Sequence, residues 1–489
     1  MSEAMLIGID EGTTAVKVGS FDLGLAPLAQ ARREISTSHP APGLVEQDPE
    51  EILEAVVDAV AEVLAATPER TVLAAGLAHQ GESVLAWEGE SGRALSPVIT
   101  WRDKRQEQLL ARLDPGAVTR SGLPLDPYFS AGKLAWLLEN DPYVSMAGEV
   151  GTLRLGTVDA FLSDRLGGRF ATDLSTASRT QLLALGGRAW DTQLMVLFGM
   201  RSEWLPEIAP TFGELGELRS PRWPVALPLR ARLVDQQAAL AGSGTIAAGE
   251  VKATYGTGVF VLGRTAEPVR APGLLPTIAW AANAPGGTIG EVDYALDGGV
   301  FAAGSMLDWL SRGGLRLAPD TAALMRLAAG VDDSAGVRVL PALDGLGAPW
   351  WQPGAHGVIA GLHAGVGPAH IARAALESIA WRVADIVEAM RAVSPVETVR
   401  VDGGLTRDET LLRIQADALG LPLTLGEADT TVRGAAMLAG VGARAFADLG
   451  AAAGLLEPGR TITPGLDEVE RVRRQAAWRT FVERSAALG

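Results

Sequence analysis

Cysteine is absent from this chain of 489 residues, and histidine occurs only five times. Disulfides, thiol nucleophiles and thiolate metal sites are therefore excluded, and a histidine-rich metal cage is not expected. Positive charge is also scarce, because 42 Lys and Arg stand against 58 Asp and Glu, which gives a formal net charge of −16. That sign argues against a protein built to neutralise nucleic-acid phosphates or an anionic membrane surface.

Long apolar runs are missing as well. None approaches the ~18 residues that a membrane span needs. The residues up to Asp10 include no Lys or Arg of the kind that opens a secretion signal. We therefore expect a cytoplasmic protein without a membrane or nucleic-acid partner. What is present, 47% hydrophobic residues, 20% charged residues and 58 glycines, is typical of a compact globular enzyme.

The opening segment predicts two strands joined by a tight turn. The apolar run Leu6–Asp10 ends in a carboxylate, Gly12, Thr13 and Thr14 form the turn, and Val16–Asp22 is the returning strand. This turn can hold a phosphate group or can simply close a hairpin. The hydroxyls beside a strand-end carboxylate favour the first interpretation.

A helix and a further strand follow this opening. Asp48 is a favourable N-cap, Pro49 suits the first helical position, and apolar residues from Ile52 to Val63 recur on one face. The run Val72–Ala78 then predicts a buried strand. The order strand, strand, helix, strand indicates a mixed α/β sheet with helices on its faces.

A second copy of the opening is predicted in the second half of the chain. The strand Val251–Tyr255 leads into the turn Gly256–Gly258, and the strand Val259–Gly263 leaves it. A small, glycine-rich stretch precedes this copy, so we place a domain boundary there. The predicted domains are residues 1–244 and 245–489.

A strand also meets a helix near the end of the chain. The run Val399–Asp402 is joined through Gly403 and Gly404 to a predicted helix over Asp408–Leu419. Backbone amides exposed at such a junction point at a ligand and can hold a phosphate or a ribose.

Several polar residues in these turns suit phosphoryl transfer. Asp10 follows a buried strand, Thr13 and Thr14 offer hydroxyl and amide donors, and Lys17 lies on the next strand. Such a set can hold phosphate oxygens and Mg²⁺. The turn Gly256–Gly258 would supply a second phosphate-holding loop.

Other residues suit recognition of a hydroxylated substrate. Asp235 precedes a helical segment, where it is either an N-cap or a base that accepts a proton from a hydroxyl. Glu82 follows a buried strand and needs a polar partner such as a sugar hydroxyl. Trp101 and Tyr128 can stack on the C–H faces of a carbohydrate. His79 has no second ligand at metal-site spacing, so we do not expect it to bind zinc.

Together, these and other segments resemble the FGGY carbohydrate kinase family, and within it the glycerol kinase branch, from Ile7 to about Ala443. The segments that carry the resemblance are Gly8–Thr14, His39–Pro49, Tyr128–Trp136, Asp173 with Ser178–Thr180, Thr254–Gly258, Gly345–Trp351, Gly357–Leu362 and His370–Glu377. The resemblance implies an α/β fold of two actin-like, ribonuclease H-like domains around a central cleft. It also implies an ATP-dependent kinase that transfers the γ-phosphoryl group to a terminal hydroxyl of glycerol or a related small polyol. A homodimer or a homotetramer is a separate expectation.

The resemblance also implies a role for particular residues. The N-terminal domain would bind the polyol, with Asp235 as the catalytic base. The residues around the substrate would be Gln80, Gly81, Glu82, Trp101, Tyr128, Asp235, Gln236 and Phe260. The residues around ATP would be Thr13, Thr14, Lys17, Thr257, Gly258, Gly304, Asp308, Gly404 and Asp408. Asp10 would help to hold Mg²⁺.

One departure bears on the substrate. Gly81 stands where the glycerol kinase pattern usually has Arg, so a guanidinium that would bind the polyol is missing and space is expected there. Erythritol, or a ketose such as xylulose or ribulose, is therefore an alternative substrate to glycerol. A regulator that binds ATP and sugar without catalysis is the alternative outside enzymes. Glu11, Lys17, Asp308 and Asp408 also replace the usual Gln, Arg, Gln and Asn.

Overall fold

The computed structural model describes residues 3–427 and 429–488. The chain forms two compact units. Unit 1 comprises the described residues of Met1–Ile246, Thr277–Tyr294 and Asp429–Leu456. Unit 2 comprises those of Ala247–Pro276, Ala295–Ala428 and Glu457–Gly489.

Strands and helices alternate along much of the chain. The strands are β1 Ala4–Glu11, β2 Ala15–Phe21, β3 Pro27–Glu34, β4 Glu46–Gln47, β5 Thr71–His79, β6 Val84–Glu88, β7 Val98–Ile99, β8 Leu153–Thr157, β9 Ala171–Asp173, β10 Glu207–Ala209, β11 Phe212–Leu218, β12 Leu227–Val234, β13 Glu250–Tyr255, β14 Val259–Thr265, β15 Leu275–Asn283, β16 Ile289–Val300, β17 Arg338–Leu340, β18 Val358–Ala360, β19 Thr398–Asp402, β20 Leu423–Leu425 and β21 Thr461–Ile462. The α-helices are α1 Pro49–Ala66, α2 Glu107–Leu110, α3 Ser130–Asn140, α4 Pro142–Val150, α5 Val158–Gly167, α6 Leu174–Ala177, α7 Thr192–Leu197, α8 Asp235–Gly242, α9 Gly304–Asp308, α10 Thr321–Ala329, α11 Pro368–Arg391, α12 Glu409–Leu419, α13 Thr430–Gly442, α14 Leu449–Ala453 and α15 Glu468–Ala486.

Unit 1 is built on a mixed sheet with the strand order β3-β2-β1-β5-β12-β11. The hairpin of β1 and β2 is antiparallel, whereas β1 with β5 and β5 with β12 are parallel. Val16, Ile7 and Ile9 are buried in this sheet, and Ile52 on α1 belongs to the same core. The predicted hairpin, helix and buried strand of the opening are therefore confirmed.

Helix α1 shows why the local sequence folds this way. The Asp48 carboxylate accepts a hydrogen bond from the Glu50 amide at 2.9 Å, and Pro49 occupies the first turn. Ile52, Val56 and Val60 are fully buried on the face toward the core. The N-cap stabilises the start of the helix, and burial of the apolar face stabilises its packing on the core.

Helix α13 returns from the C-terminal part of the sequence to pack on the sheet of unit 1. The approach is a backbone contact, because an ideal Cβ added to Gly8 would lie 1.9 Å from the Val432 carbonyl oxygen. A Cβ on Gly76 would lie 2.0 Å from the Ala435 carbonyl oxygen. Glycine at both strand positions is therefore what allows α13 to lie so close.

Unit 2 repeats the hairpin and parallel-strand pattern. β13 and β14 form an antiparallel hairpin, and β13 is parallel to β19, which is parallel to β20. Helix α11 buries Ile379, Val383 and Val387 in the core of this unit. The predicted second hairpin is confirmed. The helix predicted to begin at Asp408 begins at Glu409 instead, with Asp408 as its N-cap.

The compact units differ from the predicted continuous halves, 1–244 and 245–489. The first segment of unit 1 ends at Ile246, but the segments Thr277–Tyr294 and Asp429–Leu456 also belong to unit 1. The packing of α13 against β1 and β5 is the physical reason for the second of these. Among residues 3–427 and 429–488, none of the helices combines the length and apolar character that crossing a membrane requires.

Replacing Gly76 with Ala tests the backbone contact of α13. The added methyl group would overlap the Ala435 carbonyl oxygen, at 2.0 Å from it, and neither backbone can move easily. We expect Gly76→Ala to lower the free energy of unfolding by about 3 kcal/mol or more, measured by urea denaturation. Gly354→Ala is the control, because nothing lies within 4 Å of its Cβ position. Equal stability of the two variants would contradict the close approach.

Candidate active site

Three parallel strands deliver polar residues to one edge of the unit 1 sheet. Glu11 at the end of β1 is paired with His79 at the end of β5, which is paired with Val234 at the end of β12. The carboxyl ends of parallel strands meet at the same edge, which is where ligands bind in open α/β sheets. Asp10 and Glu11, the segment 80–82, and Asp235 with Gln236 are therefore neighbours.

Glu11 and Gln80 form the buried floor of this edge. The Gln80 side-chain nitrogen donates to Glu11 Oε1 at 2.7 Å, and the Gln80 amide donates to the Glu11 carbonyl oxygen at 2.7 Å. Burial raises the pKa of Glu11 well above its usual value; the Gln80 hydrogen bonds oppose this shift, and the charges of Asp10 and Asp235 add to it. Glu and Gln have nearly the same size and shape, so Glu11 fits the space that a Gln would fill. The departure at this position is therefore compatible with the family pattern.

A closed ring of hydrogen bonds joins the candidate phosphate turn to the candidate substrate residues. Gln80 Nε2 donates to Gln47 Oε1 at 2.9 Å, and Gln47 Nε2 donates to the Thr13 carbonyl oxygen at 2.6 Å. The Trp101 indole donates to Thr13 Oγ1 at 3.0 Å, and the Trp101 amide donates to Ser83 Oγ at 3.1 Å. Ser83 Oγ donates back to Gln80 Oε1 at 3.0 Å. The ring fixes the indole of Trp101 relative to Thr13.

Trp101 and Tyr128 are packed edge to face, with ring centroids 5.7 Å apart. The backbone of the Tyr128 segment is held by the buried Lys133, whose ammonium donates to the carbonyl oxygens of Pro127, Tyr128 and Phe129 at 2.6–3.1 Å. Burial lowers the pKa of Lys133 to about 7, although nearby carboxylates including Glu82 act in the opposite direction. These two aromatic residues form one apolar wall beside the carboxylates, as a carbohydrate site requires.

Glu82 is buried and paired with Arg179. Its side chain is 5% exposed, and Arg179 Nε donates to Glu82 Oε1 at 2.6 Å. Glu82 also adopts a left-handed backbone with φ of 59°. Such strain outside glycine is uncommon and is found most often at functional sites.

Asp235 is the first residue of α8, and not the N-cap that the local sequence also allowed, because Val234 occupies the cap position. Asp235 Oδ1 accepts a hydrogen bond from the Gln236 amide at 2.6 Å. The side chain lies at the positive end of a helix, where a carboxylate is stabilised. Asp235 is partly exposed at the sheet edge, so a substrate hydroxyl can approach it.

Asp10 and Lys17 face each other across the β1–β2 hairpin. Burial raises the pKa of Asp10 to about 7, Lys17 opposes this shift, and Asp429 adds to it. Lys17 Nζ contacts Asp429 Oδ1 at 2.9 Å, with about two-fifths of both side chains exposed. Thr14 lies in the exposed part of the same turn. Lys17 is therefore positioned to reach an anion as well as Asp429.

In unit 2, the turn Gly256–Gly258 is joined to the start of α9. The Gly304 amide donates to the Gly256 carbonyl oxygen at 3.1 Å, and the Ser305 amide donates to the Thr257 carbonyl oxygen at 3.0 Å. A Cβ on Gly258 would lie 2.4 Å from the Val300 carbonyl oxygen, so Gly258 allows this packing. The structure thus brings Thr257, Gly258 and Gly304 together.

A second loop of unit 2 leaves the neighbouring strand at the same edge. Because β13 and β19 are parallel, with Thr254 opposite Asp402, the segment after Asp402 lies beside the turn after β13. Gly404 is exposed and has open space around it, and Asp408 caps α12 through the Leu411 amide at 2.8 Å. Asn caps helices as well as Asp does, so this departure preserves the local structure.

Asp308 and Phe260 lie in different surroundings. The Asp308 carboxylate accepts hydrogen bonds from the Arg312 guanidinium at 2.8 and 3.0 Å and from Thr321 Oγ1 at 3.0 Å. These hydrogen bonds, that of Arg312 first, lower the pKa of Asp308. Phe260 lies on β14 of unit 2, half-buried, beside the turn Gly256–Gly258.

The residues that sequence reasoning did not assign to the site are Gln47, Ser83, Lys133 and Arg179. All four lie in or beside motifs already noted, but their side-chain partners come from distant parts of the chain. His79 has a structural role, because its ring nitrogens contact the Gln80 carbonyl oxygen at 3.0 Å and Thr176 Oγ1 at 2.8 Å. Across residues 3–427 and 429–488, no cluster of three or more His, Asp or Glu side chains is arranged to hold a metal ion.

Comparison with known proteins identifies the family. The model of the FGGY family of carbohydrate kinases, N-terminal domain, matches residues 5–242, and that of the C-terminal domain matches residues 251–443. The chain is 41% identical to the glycerol kinase of Thermus brockianus, with 98% of each chain covered. It is 39% identical to the glycerol kinase of Xanthobacter autotrophicus, also with 98% of each covered.

A solved structure agrees with the sequence relatives. The crystal structure of Plasmodium falciparum glycerol kinase with ADP matches with a TM-score of 0.92 at 28% identity, covering 99% of this chain and 98% of the other. Family models and relatives thus span both predicted halves. The chain belongs to the FGGY family of carbohydrate kinases, and it is an ATP-dependent phosphotransferase with an alcohol group as acceptor.

Proposed function

We propose that this kinase phosphorylates a terminal hydroxyl of glycerol. The observation that carries the proposal is the sheet edge of unit 1, where the strand that leads to Asp235 ends beside β5, and the segment after β5 carries the buried carboxylate Glu82. The aromatic pair Trp101 and Tyr128 is joined to this segment through the Trp101 amide, which donates to Ser83 Oγ. A small polyol needs acceptors for its hydroxyls and an apolar surface for its carbons. The relatives named glycerol kinase add independent support.

Within this proposal, the polyol is bound by neutral and acidic side chains. Glu82 accepts a hydrogen bond from a hydroxyl of the polyol, and the Trp101 ring packs on its carbon chain. Gln80 and Gln236 lie at the same edge of the sheet. Trp101 is held in place by Thr13 and Ser83. Orientation matters here because a reaction within a correctly placed pair is much faster than one between free reactants.

Asp235 is the general base of the proposed mechanism. The Gln236 amide, at 2.6 Å from Oδ1, fixes the orientation of the carboxylate. Asp235 accepts the proton of the substrate hydroxyl as that oxygen attacks the γ-phosphorus, and the bond to the β-phosphate oxygen breaks. In phosphoryl transfer of this kind, most of the catalysis comes from positioning and charge stabilisation.

The nucleotide is proposed to bind unit 2. Thr257, Gly258, Gly304 and Gly404 present backbone groups at the edge formed by β13 and β19. Thr13, Thr14 and Lys17 of unit 1 would neutralise the transferring phosphate. Asp408 caps the helix beside this loop, and Asp308 would act through Arg312, to which it is paired.

The cation that accompanies ATP is proposed to be Mg²⁺, with Asp10 as its protein ligand. Mg²⁺ is commonly held by one or two carboxylates together with substrate phosphates, so a single strand-end Asp fits this pattern. Burial raises the pKa of Asp10 to about 7, and a nearby positive charge would lower that pKa. When bound, Mg²⁺ neutralises charge on the phosphate oxygens.

Gly81 keeps open the alternative of erythritol or a ketose such as xylulose or ribulose. Gly81 itself packs against β12, because an added Cβ would lie 2.9 Å from Val234 Cγ1.

Comparing acceptors tests the proposed substrate. ADP formation should be measured with glycerol, erythritol, xylulose and ribulose at saturating ATP. We expect the highest kcat/KM with glycerol and little ADP without an acceptor, because binding of the polyol positions the hydroxyl. A higher kcat/KM with one of the other three would overturn glycerol as the substrate.

Replacing Asp235 with Asn tests the base. Asn has nearly the same shape but cannot take the proton, so kcat should fall by about 10²-fold or more while the KM for glycerol changes far less. Asp141→Asn is the matched control, since Asp141 caps α4 and Asn caps equally well. Near-normal turnover of Asp235→Asn would show that another group accepts the proton.

The raised pKa of Asp10 predicts a pH-dependent stability. Between its usual value of 3.8 and about 7, the folded protein holds a proton on Asp10 that the unfolded chain has lost. Stability from this group is therefore lost as the pH rises through that window. The unfolding free energy of Asp10→Asn relative to wild type should increase from pH 4.5 to pH 8.

The comparison needs a control for net charge. Glu90→Gln removes an exposed carboxylate in the turn after β6, and its relative stability should not follow the same trend. Urea denaturation without nucleotide or Mg²⁺ gives the values. A relative stability of Asp10→Asn that stays constant with pH would refute the shift.

A further inference from the structure

A buried arginine lies against the proposed polyol residues and has no part in the mechanism above. Arg179 is 3% exposed. Its Nε is 2.6 Å from Glu82 Oε1, and its guanidinium carbon lies 5.9 Å from the centre of the Tyr128 ring and 5.7 Å from that of Phe129. Arg179 therefore contacts the Glu82 carboxylate and the rings of Tyr128 and Phe129.

We propose that Arg179 is a positioning residue that determines polyol affinity by holding the Glu82 carboxylate in one orientation. Arg179 Nε donates a hydrogen bond to Glu82 Oε1, which leaves Oε2 to accept a hydrogen bond from a substrate hydroxyl. The inference rests on the proposed function, because it assigns Glu82 to the polyol.

The energetics require such a partner. A carboxylate buried as deeply as Glu82 is costly unless it is paired and hydrogen-bonded, and a charge-assisted bond to a guanidinium is among the strongest available. Glu82 also has a strained backbone with φ of 59°, which surrounding contacts must maintain. Arg179 supplies one of these contacts from a different segment of the chain.

Backbone hydrogen bonds tie the segment that carries Arg179 to two helices. The Arg179 amide donates to the Thr176 carbonyl oxygen at 2.9 Å, so the residue continues the turn that ends α6. The following Thr180 accepts, through its carbonyl oxygen, a hydrogen bond from the Ala131 amide of α3 at 2.9 Å. The backbone at Arg179 is thus held between α6 and α3, and the bond from Nε to Glu82 Oε1 orients its guanidinium.

Arg179→Met and Arg179→Lys test the inference. Met keeps most of the apolar stem without the charge, and we expect the KM for glycerol to rise about tenfold or more, with kcat and the KM for ATP within about threefold of wild type. Lys restores the charge but not the planar donor, so its KM should be intermediate. A merely structural loss would change kcat and both KM values together.

Two comparisons make the test specific. Arg154→Met removes another ion pair of unit 1, to Asp164 at 2.5 Å, and should leave the KM for glycerol unchanged. The diols 1,2-propanediol and 1,3-propanediol each lack one glycerol hydroxyl. Binding of each diol is measured as its KM or as its inhibition constant against glycerol, in wild type and in Arg179→Met. The difference between the two proteins should be smaller for the diol that lacks the hydroxyl bound by Glu82.

The outcomes separate this inference from the proposed function. If wild type prefers another acceptor, the assignment of glycerol as the substrate is wrong, and the same variants are then compared with the preferred acceptor. If wild type turns over glycerol but Arg179→Met and Arg179→Lys keep its KM, the positioning role is overturned. If Arg179→Met does not fold, Arg179→Lys alone decides, because an unchanged KM and an unchanged preference between glycerol and the diols would refute the proposal.

Discussion

The parallel pairing of β1, β5 and β12 is the constraint on which the site in unit 1 depends. Its register places Glu11 opposite His79 and His79 opposite Val234. Successive side chains of a strand point to opposite faces, so a slip of one residue would exchange the environments of Asp10 and Glu11. The register therefore decides which of two adjacent carboxylates is fully buried against Gln80 and which remains partly exposed beside Lys17.

Most of the side chains that fix the site are uncharged. The ring through Gln80, Gln47, Thr13, Trp101 and Ser83 uses amides, hydroxyls and an indole, which can be buried at low cost when every member has a partner. Charge is confined to a few groups around this ring. The uncharged ring itself therefore adds nothing to the net charge of −16 that an incoming polyphosphate meets.

Much of the fold and the family could be predicted from local patterns. Strand–turn–strand signals, the Asp48 cap and the apolar face of α1 depend on neighbours in sequence, and they were confirmed. The pairing of Arg179 with Glu82, and the three carbonyl contacts of Lys133, depend on how separate segments meet. Nothing in the local sequence specifies such pairs. The discontinuous membership of unit 1 was missed for the same reason. The assigned roles of Asp235 and the other site residues stay predictions.

The backbone contact between α13 and the strands β1 and β5 has a consequence for biosynthesis. The N-terminal strands leave the ribosome first, but the helix that covers Gly8 and Gly76 is among the last parts of the chain to be made. Until then, one face of the nascent sheet lacks its partner, and exposed apolar strands of this kind are prone to aggregate. Unit 1 must therefore finish folding after translation of α13, which gives molecular chaperones an interval in which to act.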